Sequence, residues 1–364
     1  GRSGSKRGTP RGKGLLSNTM KPRPRRSLRK TGASAILGNL RLLILLGLSV
    51  CPLTGADSDG YELIGRVTWK DRTLSRDALP LVLLDGAVSP FSAVTRADLS
   101  GRFKFKNLQP DMYTLTVYIP RGGEYRRTIE ISPSLADTRK RIFVDLMFQP
   151  GYGSRALYSV SSSQLSVPSK ALKEFGKALK KLARRDAGGA VAHLKKTVEL
   201  APQFAEAWNT LGTLAYKAGE FNQAEDCFRE ALKHDSEYYP PLVNLGGVLL
   251  NQGRVQEALP LNREAVRTRP DDALAHVQLG FNHYYLGQYS EAERHLKQAA
   301  ALDPRHFSYP QLTLARIYLL QKDFASAARE LEQFLTLHPD VQSSPSIRKH
   351  VEAIRSQLPA DGSP

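Results

Sequence analysis

The chain has little cysteine and no long apolar run. Only 2 of its 364 residues are cysteine, so disulfides cannot build the fold and stability must come from burial of apolar side chains. The uncharged apolar run from Leu42 to Val50 is about half the ~20 residues that a membrane-spanning helix needs. With 41% hydrophobic residues the chain can bury substantial cores, and its length predicts two modules.

Motifs of catalysis are also missing. The sequence has no His-Glu-x-x-His zinc helix, no glycine loop ending in Lys-Ser/Thr and no Gly-x-Ser-x-Gly nucleophile turn. His276 and His283 share one face of a predicted helix, but at a spacing of seven they lie ~10 Å apart. Without a third element that brings them together, they cannot bind one metal ion. We therefore predict no enzyme activity, no cofactor and no metal site, and a packing role for both histidines.

Acidic residues are absent from the first 56 positions. Residues 1–56 hold twelve Lys or Arg and no Asp or Glu, and so carry most of the net charge of +17. From Ala171 to Asp340, 21 basic residues are balanced by 21 acidic ones. A neutral segment gives no electrostatic support for binding a phosphate backbone, so we predict no nucleic-acid partner.

The basic start predicts an export leader. A positive segment, the short apolar run and then small residues before a polar stretch are the layout of a secretory signal peptide, with cleavage predicted after Ala56. Met20 can open this leader, which would place residues 1–19 upstream of the natural start. Arg25 and Arg26 leave open whether the signal is an ordinary or a twin-arginine one. We predict an exported protein that is periplasmic, envelope-associated or secreted.

Cys51 closes the apolar run and raises a lipoprotein alternative. Acylation of this cysteine would anchor the mature protein to the membrane. Val50 is larger than the residue that usually precedes a lipidated cysteine, which argues against the alternative. After cleavage at Ala56 only Cys227 remains, and it faces the packing of a predicted helix.

Apolar residues alternate with polar ones over residues 57–148. Alternation with a period of two is typical of half-buried strands. Several short strands in about ninety residues predict an antiparallel β-sandwich. The Gly-, Ser- and Pro-rich residues 149–170 that follow predict a linker with some flexibility. The predicted strands lie at 61–69, 103–105, 113–117, 125–131 and 141–146.

The stretch DLSGRFKFKNLQPDMYTLTVYIP resembles the carboxypeptidase regulatory-like domain, a transthyretin-like sandwich common in exported bacterial proteins. Asp111 replaces the glycine usual after the proline of this motif. The resemblance implies an adhesive or spacer module that touches carbohydrate or protein and carries no catalysis. The matching positions are Gly101, Phe103, Phe105, Leu108, Pro110, Tyr113 and Leu115.

A different pattern, with a step of 34 residues, fills the C-terminal half. Small residues recur in the middle of two adjacent amphipathic helices, where they allow close approach of the two helices. A single hairpin of this size cannot cover both of its apolar faces, so the recurring units are predicted to stack into a solenoid. The small residues at this step are Gly212, Gly246 and Gly280 in the first helices and Ala224, Ala258 and Ala292 in the second.

These residues resemble the tetratricopeptide repeat family, with its Trp, Leu-Gly, Tyr, Ala, Phe, Ala and Pro at fixed offsets. The match is best from Ala205 to Asp272, and about five units fill residues 171–340. One more amphipathic helix, at 341–358, is predicted to cap the array, and 359–364 to be a disordered tail. The predicted fold is multidomain: an all-β antiparallel sandwich, then an all-α solenoid of about five hairpins.

The second resemblance implies a concave groove lined by the first helix of each hairpin. The first unit is expected one residue out of register, because its turn before Ala190 is taken as one residue short. The groove is then expected to run from a basic end, through a polar middle, to an aromatic end. Its predicted residues are Lys173, Lys180, Arg184, Asn209, Thr213, Tyr216, Val243, Leu250, Phe281, Tyr284, Tyr285 and Arg316.

An aromatic groove suits a bound peptide or helix, and a basic end suits an acidic terminus. The other interpretation is that the basic residues form the solvated face of a capping helix and the rings pack between repeats. We predict an exported, non-enzymatic scaffold that binds a protein or peptide partner in this groove. The alternative is a cell-envelope assembly protein whose β-sandwich recognises glycan or envelope material, with the repeats as spacer or oligomerisation module.

Overall fold

The computed structural model describes residues 60–69, 79–119, 123–148 and 166–358. The leader, Cys51 and most of the predicted linker lie outside these ranges. Within them, seven β-strands come first and eleven α-helices follow. The strands are β1 (Tyr61–Trp69), β2 (Leu81–Gly86), β3 (Ser92–Arg96), β4 (Arg102–Leu108), β5 (Asp111–Ile119), β6 (Gly123–Ile131) and β7 (Arg141–Phe148).

The strands form two sheets around one apolar core. One sheet has the order β4-β1-β7 and the other has the order β3-β2-β5-β6. Leu63 from the first sheet and Leu84 and Leu115 from the second are fully buried between them. The predicted sandwich is confirmed, but one pairing is not antiparallel. A short 3₁₀ turn at Pro133–Leu135 follows β6, and the chain then adds β7 parallel to β1 at the free edge of the other sheet.

The alternation analysis missed β2 and β3. β2 has the sequence LVLLDG, in which four apolar residues follow one another without a polar one between them. It pairs with β3 on one side and β5 on the other, and its two faces are buried and half-buried. The sequence of a strand that is covered on both faces is a continuous apolar run. It therefore lacks the alternation of apolar and polar residues that marks a half-buried strand.

The helices form five antiparallel hairpins and a final helix, which confirms the predicted solenoid. In the last helix Ile347, Val351 and Ile354 are buried, as expected of a capping helix. No helix in the described ranges combines the length and apolar character needed to cross a membrane. The helices are α1 (Ser169–Leu182), α2 (Ala187–Leu200), α3 (Ala205–Lys217), α4 (Phe221–His234), α5 (Tyr239–Asn251), α6 (Val255–Thr268), α7 (Ala273–Tyr285), α8 (Tyr289–Leu302), α9 (Pro310–Leu320), α10 (Phe324–Leu337) and α11 (Ser344–Arg355).

The small residues sit where the two helices of a hairpin touch. A Cβ atom on Gly212 would lie 2.7 Å from the ring of Phe228, whose side chain is almost fully buried. A Cβ atom on Gly280 would similarly lie 2.8 Å from Cγ of Leu296. The helix contact therefore leaves no room for a side chain at either glycine.

The turn inside each hairpin uses one residue with a positive φ. Gly219, Gly253 and Gly287 have φ of 79°, 74° and 74°, and the equivalent Arg185 and Lys322 have φ of 60° and 62°. Arg185 lies 34 residues before Gly219, so the first turn has the same length as the others. The expected one-residue shift of the first unit is therefore wrong.

Candidate functional site

The first helices of the hairpins (α1, α3, α5, α7 and α9) form the inner layer of the array, and polar side chains join neighbours within it. The Asn244 amide donates to Oδ1 of Asn209 at 3.0 Å, and the Asn251 amide donates to the Tyr216 hydroxyl at 2.9 Å. The Thr213 hydroxyl donates to the backbone carbonyl of Asn209. Asn209 and Tyr216, two of the predicted polar residues of the groove, thus also hold α3 against α5.

The β-sandwich packs directly on the first two units of the array. The Lys217 ammonium, at the end of α3, donates to the carbonyl oxygens of Gly86 and Ser89 at 2.6 and 2.9 Å. Arg185, in the turn after α1, donates to the Tyr113 hydroxyl at 2.6 Å and lies over the ring of Phe91. The turn between β2 and β3 is therefore fixed to the inner layer by two cationic side chains.

Strand β6 continues this contact along the later units. It lies at an edge of its sheet, and successive residues meet the turns after α6, α8 and α10. Glu124 pairs with Arg269 at 3.2 Å, and the Thr128 amide donates to Asp303 at 2.9 Å. Arg269 and Asp303 are equivalent residues of consecutive units. An exposed strand edge invites unwanted pairing, and here the array covers it.

The end of β6 meets the last unit in the same way. The Glu130 carboxylate lies 3.1 Å from Nδ1 of His338 and 3.4 Å from the Arg305 guanidinium. His338 takes the position in its unit that Asp303 takes in the preceding one. Beyond the strand, the Ser134 amide donates to the carboxylate of Asp340 at 3.0 Å. One strand and the turn after it therefore contact three consecutive inter-repeat turns.

A network of charges with buried carboxylates lies between the sandwich and the middle of the array. Arg126 pairs with Glu124 at 2.6 Å and with Asp272 at 3.6 Å. Asp272 also accepts from the Tyr239 hydroxyl at 2.9 Å, and the Arg269 guanidinium lies over the Tyr239 ring at 4.3 Å. Two cations and two carboxylates balance one another, which is the condition under which buried charges are tolerated.

Burial at this contact changes the acid–base behaviour of several side chains. Burial lowers the pKa of the Lys217 ammonium, although the carboxylates of Asp85 and Asp111 act in the opposite direction. Burial likewise raises the pKa of Asp85. It also raises the pKa of Tyr309 to about 12, with Glu130 and Asp111 as further causes. These shifts arise because the side chains have lost contact with water.

Neither the sandwich contact nor its residues were found from the sequence. Glu124, Arg126 and Glu130 alternate along one strand, a pattern that also describes a face exposed to solvent. Their partners lie 145 to 208 residues further along the chain, in turns whose sequences differ from unit to unit. Only the recurrence of charged or titratable residues at the equivalent positions of Arg269, Asp303 and His338 could have served as a signal.

The predicted basic end of the groove does not form as expected. With the first unit in normal register, Leu172 and Leu179 take the places that Glu206 and Thr213 take in the second. Lys173, Lys180 and Arg184 are exposed on or just after α1, beside those inward positions. The structure thus places these three residues on the solvated surface of the first helix.

Two predicted groove residues lie inside the array. Val243 is buried and packs with Tyr239, Ala265 and Ala275 between neighbouring units. Leu250 is half-buried beside the core formed by α3 to α6. Burial between repeats leaves Val243 without a surface for a partner.

The predicted aromatic end remains open on one side. Phe281 and Tyr284 are half-buried against the core of the last units, and the Arg316 guanidinium lies 5.3 Å from the centre of the Tyr284 ring. Tyr285 is 55% exposed and Leu320 is 40% exposed. Tyr285 and Leu320 occupy equivalent positions at the ends of α7 and α9, so two large apolar side chains face solvent on neighbouring inner helices.

Three histidines from two helices, α7 and α8, lie close together in the structure. His276 and His283 both lie on α7 and are buried, as expected of packing residues. His295 from α8 comes between them, with its Nδ1 3.0 Å from Nδ1 of His276 and its ring stacked on that of His283. Burial lowers the pKa of His295 to about 4, aided by the positive charge of Arg294.

Sequence models of the tetratricopeptide repeat match residues 209–273, 273–306 and 311–340 of this chain. A peroxisomal targeting signal receptor of Candida glabrata is 33% identical over 92 residues, which are 25% of this chain and 16% of the receptor. Subunit 3 of the anaphase-promoting complex of Schizosaccharomyces pombe is 24% identical over 157 residues, 43% of this chain and 24% of the subunit.

The Drosophila melanogaster protein O-mannosyl-transferase Tmtc3 is 42% identical over 62 residues, 17% of this chain and 7% of the enzyme. The chain spans less than a quarter of the length of each of these three curated relatives.

Two solved structures are similar to about half of the chain. MamA (residues 41 to the end) from Desulfovibrio magneticus RS-1 is 22% identical, with 49% of this chain and 100% of MamA covered and a TM-score of 0.44. YrrB, described as a TPR protein with an unusual peptide-binding site, is 23% identical, with 49% and 92% covered and a TM-score of 0.41. From the family matches and the stacked hairpins, we conclude that residues 209–340 are tetratricopeptide repeats, a scaffold suited to protein–protein interaction.

Proposed function

We propose that this protein is an exported, non-enzymatic scaffold that binds a protein or peptide partner at the aromatic end of its inner helical layer. The observation that carries the proposal is the exposure of Tyr285 and Leu320 on neighbouring inner helices. Most large apolar side chains of the array are buried, so an exposed pair of this kind marks a contact surface.

A contact within the protein supports a binding role for the repeat position that Tyr285 and Leu320 share. Lys217, in the second unit, is equivalent to Tyr285 in the fourth and to Leu320 in the fifth. In the second unit this side chain binds the carbonyls of Gly86 and Ser89 on the sandwich. The same place in the fourth and fifth units carries apolar side chains, and these would favour a segment that inserts a large apolar residue between α7 and α9.

Arg316 adds a polar element to the proposed surface. It lies over the ring of Tyr284, and this contact holds the guanidinium beside the apolar pair. A partner with a carboxylate next to its apolar residue would therefore be preferred. The relatives named as targeting signal receptors are in keeping with recognition of a short segment.

A selection experiment tests this proposal. Peptides selected from a random-sequence library on the full chain should carry an apolar residue and lose affinity by about tenfold or more when Tyr285 and Leu320 are replaced by Ala. The matched control replaces Phe143 and Met147, which are 60% and 70% exposed on β7, by Ala. Unchanged peptide affinity in the Tyr285 and Leu320 variant, or equal loss in the control, would reject the site.

The alternative function places recognition of glycan or envelope material on the β-sandwich. The feature in its favour is the exposed ring of Phe143, beside which the Arg141 guanidinium lies at 5.4 Å. An aromatic ring with a neighbouring charge offers a surface for a sugar. Binding of envelope polysaccharide that is abolished by Phe143→Ala and kept in the Tyr285 and Leu320 variant would favour this alternative.

Export and membrane attachment belong to the same proposal. They rest on the signal-peptide layout of residues 1–56 and on the lipidation alternative at Cys51. The intact mass of the protein recovered from its host separates the possibilities. A chain that starts at Asp57 supports cleavage after Ala56, whereas a lipid-modified chain that starts at Cys51 supports the anchor.

A further inference from the structure

The fourth hairpin carries three histidines at positions that the second and third units fill with apolar side chains. His276, His283 and His295 are equivalent to Leu242, Leu249 and Leu261 in the third unit and to Trp208, Ala215 and Cys227 in the second. All three histidines are buried. Burying polar rings costs stability unless each ring nitrogen is satisfied, so the partners of these nitrogens decide what the three histidines can do.

Hydrogen bonds fix which ring nitrogens carry protons. The Pro270 carbonyl can only accept, so His276 donates to it through Nε2 at 3.0 Å and must accept at Nδ1. His295 therefore donates from its own Nδ1 to Nδ1 of His276 at 3.0 Å. The Nε2 lone pair of His295 then points away from this chain of bonds.

His283 is oriented by a separate bond of the same kind. Its Nδ1 lies 2.6 Å from Oε1 of Gln288, an acceptor, so Nδ1 donates and Nε2 is the nitrogen left for a metal ion. In metal sites the ligating nitrogen of a histidine is set in this way, by the hydrogen bond that the other ring nitrogen makes to an oxygen. Two buried imidazoles are thus oriented as candidate ligands, with His276 and Gln288 as their positioning residues.

A carboxylate completes the group. Glu291 precedes His295 by one turn of α8, and one ligand atom from each of His283, Glu291 and His295 lies within 4.8 Å of the other two. Ligand atoms around tetrahedral zinc are about 3.3 Å apart, given metal–ligand bonds of about 2.0–2.1 Å. Because the rings of His283 and His295 are parallel, binding of one ion at this spacing requires a tilt of the imidazoles as well as rotation of the exposed Glu291 side chain.

A cation already lies at this place. The Arg294 guanidinium donates to Nε2 of His295 at 2.9 Å and to the Glu291 carboxylate at 2.7 and 3.1 Å. Arg294 therefore places positive charge on two of the three candidate ligand residues, His295 and Glu291. Its side chain is 64% exposed, so it can turn into solvent when another cation takes its place.

We propose that Nε2 of His283, Nε2 of His295 and the carboxylate of Glu291 form a binding site for a transition-metal ion of the zinc type, which displaces Arg294. Two imidazoles and one carboxylate suit zinc, cobalt and similar ions, whereas calcium and magnesium prefer oxygen ligands alone. Three protein ligands leave a fourth position for water at the protein surface. The ion would join α7 to α8 within the hairpin that carries Phe281 and Tyr285.

The first test measures binding of Zn²⁺ alone to the untagged full chain, stripped with a chelator, by calorimetry. Binding of Co²⁺ is followed through its visible absorption, which reports coordination by nitrogen and oxygen. We expect one high-affinity ion per chain for each metal and no competition from Mg²⁺. Failure of the chain to bind either ion overturns the proposal.

Two variants and one control locate the site. Glu291→Gln changes an exposed side chain and should fold, and it should weaken Zn²⁺ binding at least as much as the about ten- to hundredfold that loss of an outer-shell partner costs. Gln288→Ala, which removes such a partner, should fall within that range. His234→Ala is the control, because Glu230 and His234 form a similar pair one turn apart on α4. Full Zn²⁺ affinity in Glu291→Gln, or equal loss in the control, overturns the proposal.

For Arg294→Ala we expect the opposite effect on Zn²⁺ affinity. Removal of the competing guanidinium should strengthen Zn²⁺ binding, and the gain should disappear when Glu291→Gln is added. A role of these histidines in packing alone predicts no change of metal affinity on removal of Arg294. Unchanged or weaker Zn²⁺ binding in Arg294→Ala would therefore contradict the proposed geometry.

Discussion

The carboxylate of Glu130 in the sandwich lies 3.1 Å from Nδ1 of His338 at the end of the array, 208 residues further along the chain. Both side chains are almost completely buried, and Arg305 lies 3.4 Å from the same carboxylate. The two parts of the chain are thus joined by contacts that exclude water.

Replacement of Glu130 by Ala should lower the free energy of unfolding by about 3 kcal/mol, because His338 would stay buried without the carboxylate that pairs with its Nδ1. Urea unfolding of the full chain measures this. The control Glu332→Ala removes a partner of Arg355 at the surface and should cost about 1 kcal/mol or less. Equal losses in the two variants would show that the Glu130 contact is not buried in solution.

Lys217→Met should loosen the turn between β2 and β3. The variant keeps an apolar stem but removes the donor to the carbonyls of Gly86 and Ser89. A hydrogen bond from a charged group is worth about 1.5 kcal/mol or more, so amides of residues 86–91 should exchange with deuterium about tenfold faster or more. Lys233→Met, which changes an exposed lysine on α4, should leave this exchange unaltered.

Replacement by Ala should change stability in opposite directions at two glycines of the array. Gly212→Ala would place a Cβ atom 2.7 Å from the buried ring of Phe228 and should cost about 1–3 kcal/mol of stability. Gly176→Ala, in the middle of α1, meets no atom within 4 Å and should raise stability by about 1 kcal/mol. Thermal unfolding of the two variants checks both signs, and destabilisation by Gly176→Ala would contradict the packing of α1.

Cys227 should resist alkylation in the folded protein. Burial, helped by Asp226 and Glu230, raises the pKa of its thiol to about 11, so at pH 8.5 only about 0.3% is the reactive thiolate. Iodoacetamide should modify the Cys227 peptide slowly in buffer and rapidly in urea, as read by mass spectrometry. Rapid modification without urea would show that Cys227 is not buried against the neighbouring helices in solution.

Much of the fold was open to prediction because it depends on local repetition. The 34-residue step of Gly212, Gly246 and Gly280 reflects helix contacts within each hairpin, and these recur in every unit. β2 was missed because burial on both faces removes the alternation that marks a strand. The register of the first unit was wrong because its turn was taken as short, although Arg185 adopts the conformation of the later glycines.

The candidate sites were harder to predict because they depend on distant contacts. The exposure of Tyr285 depends on its position on α7 alone. This residue could therefore be predicted from the sequence as part of a binding site. Arg126 and Glu130 make their contacts with the array only when β6 lies on it. His283 was compared with His276 on its own helix, whereas its structural neighbour His295 comes from the next one.

The position of β6 bears on how elastic the array can be. Stacked hairpins change superhelical pitch by small rotations between neighbours. A strand is nearly inextensible, and from Glu124 to Glu130 it spans about 20 Å at about 3.3 Å per residue. Because its residues are fixed to Arg269, Asp303 and His338 in consecutive turns, the strand sets the spacing of those units. We therefore expect the units in contact with β6 to keep a fixed curvature and not to extend elastically.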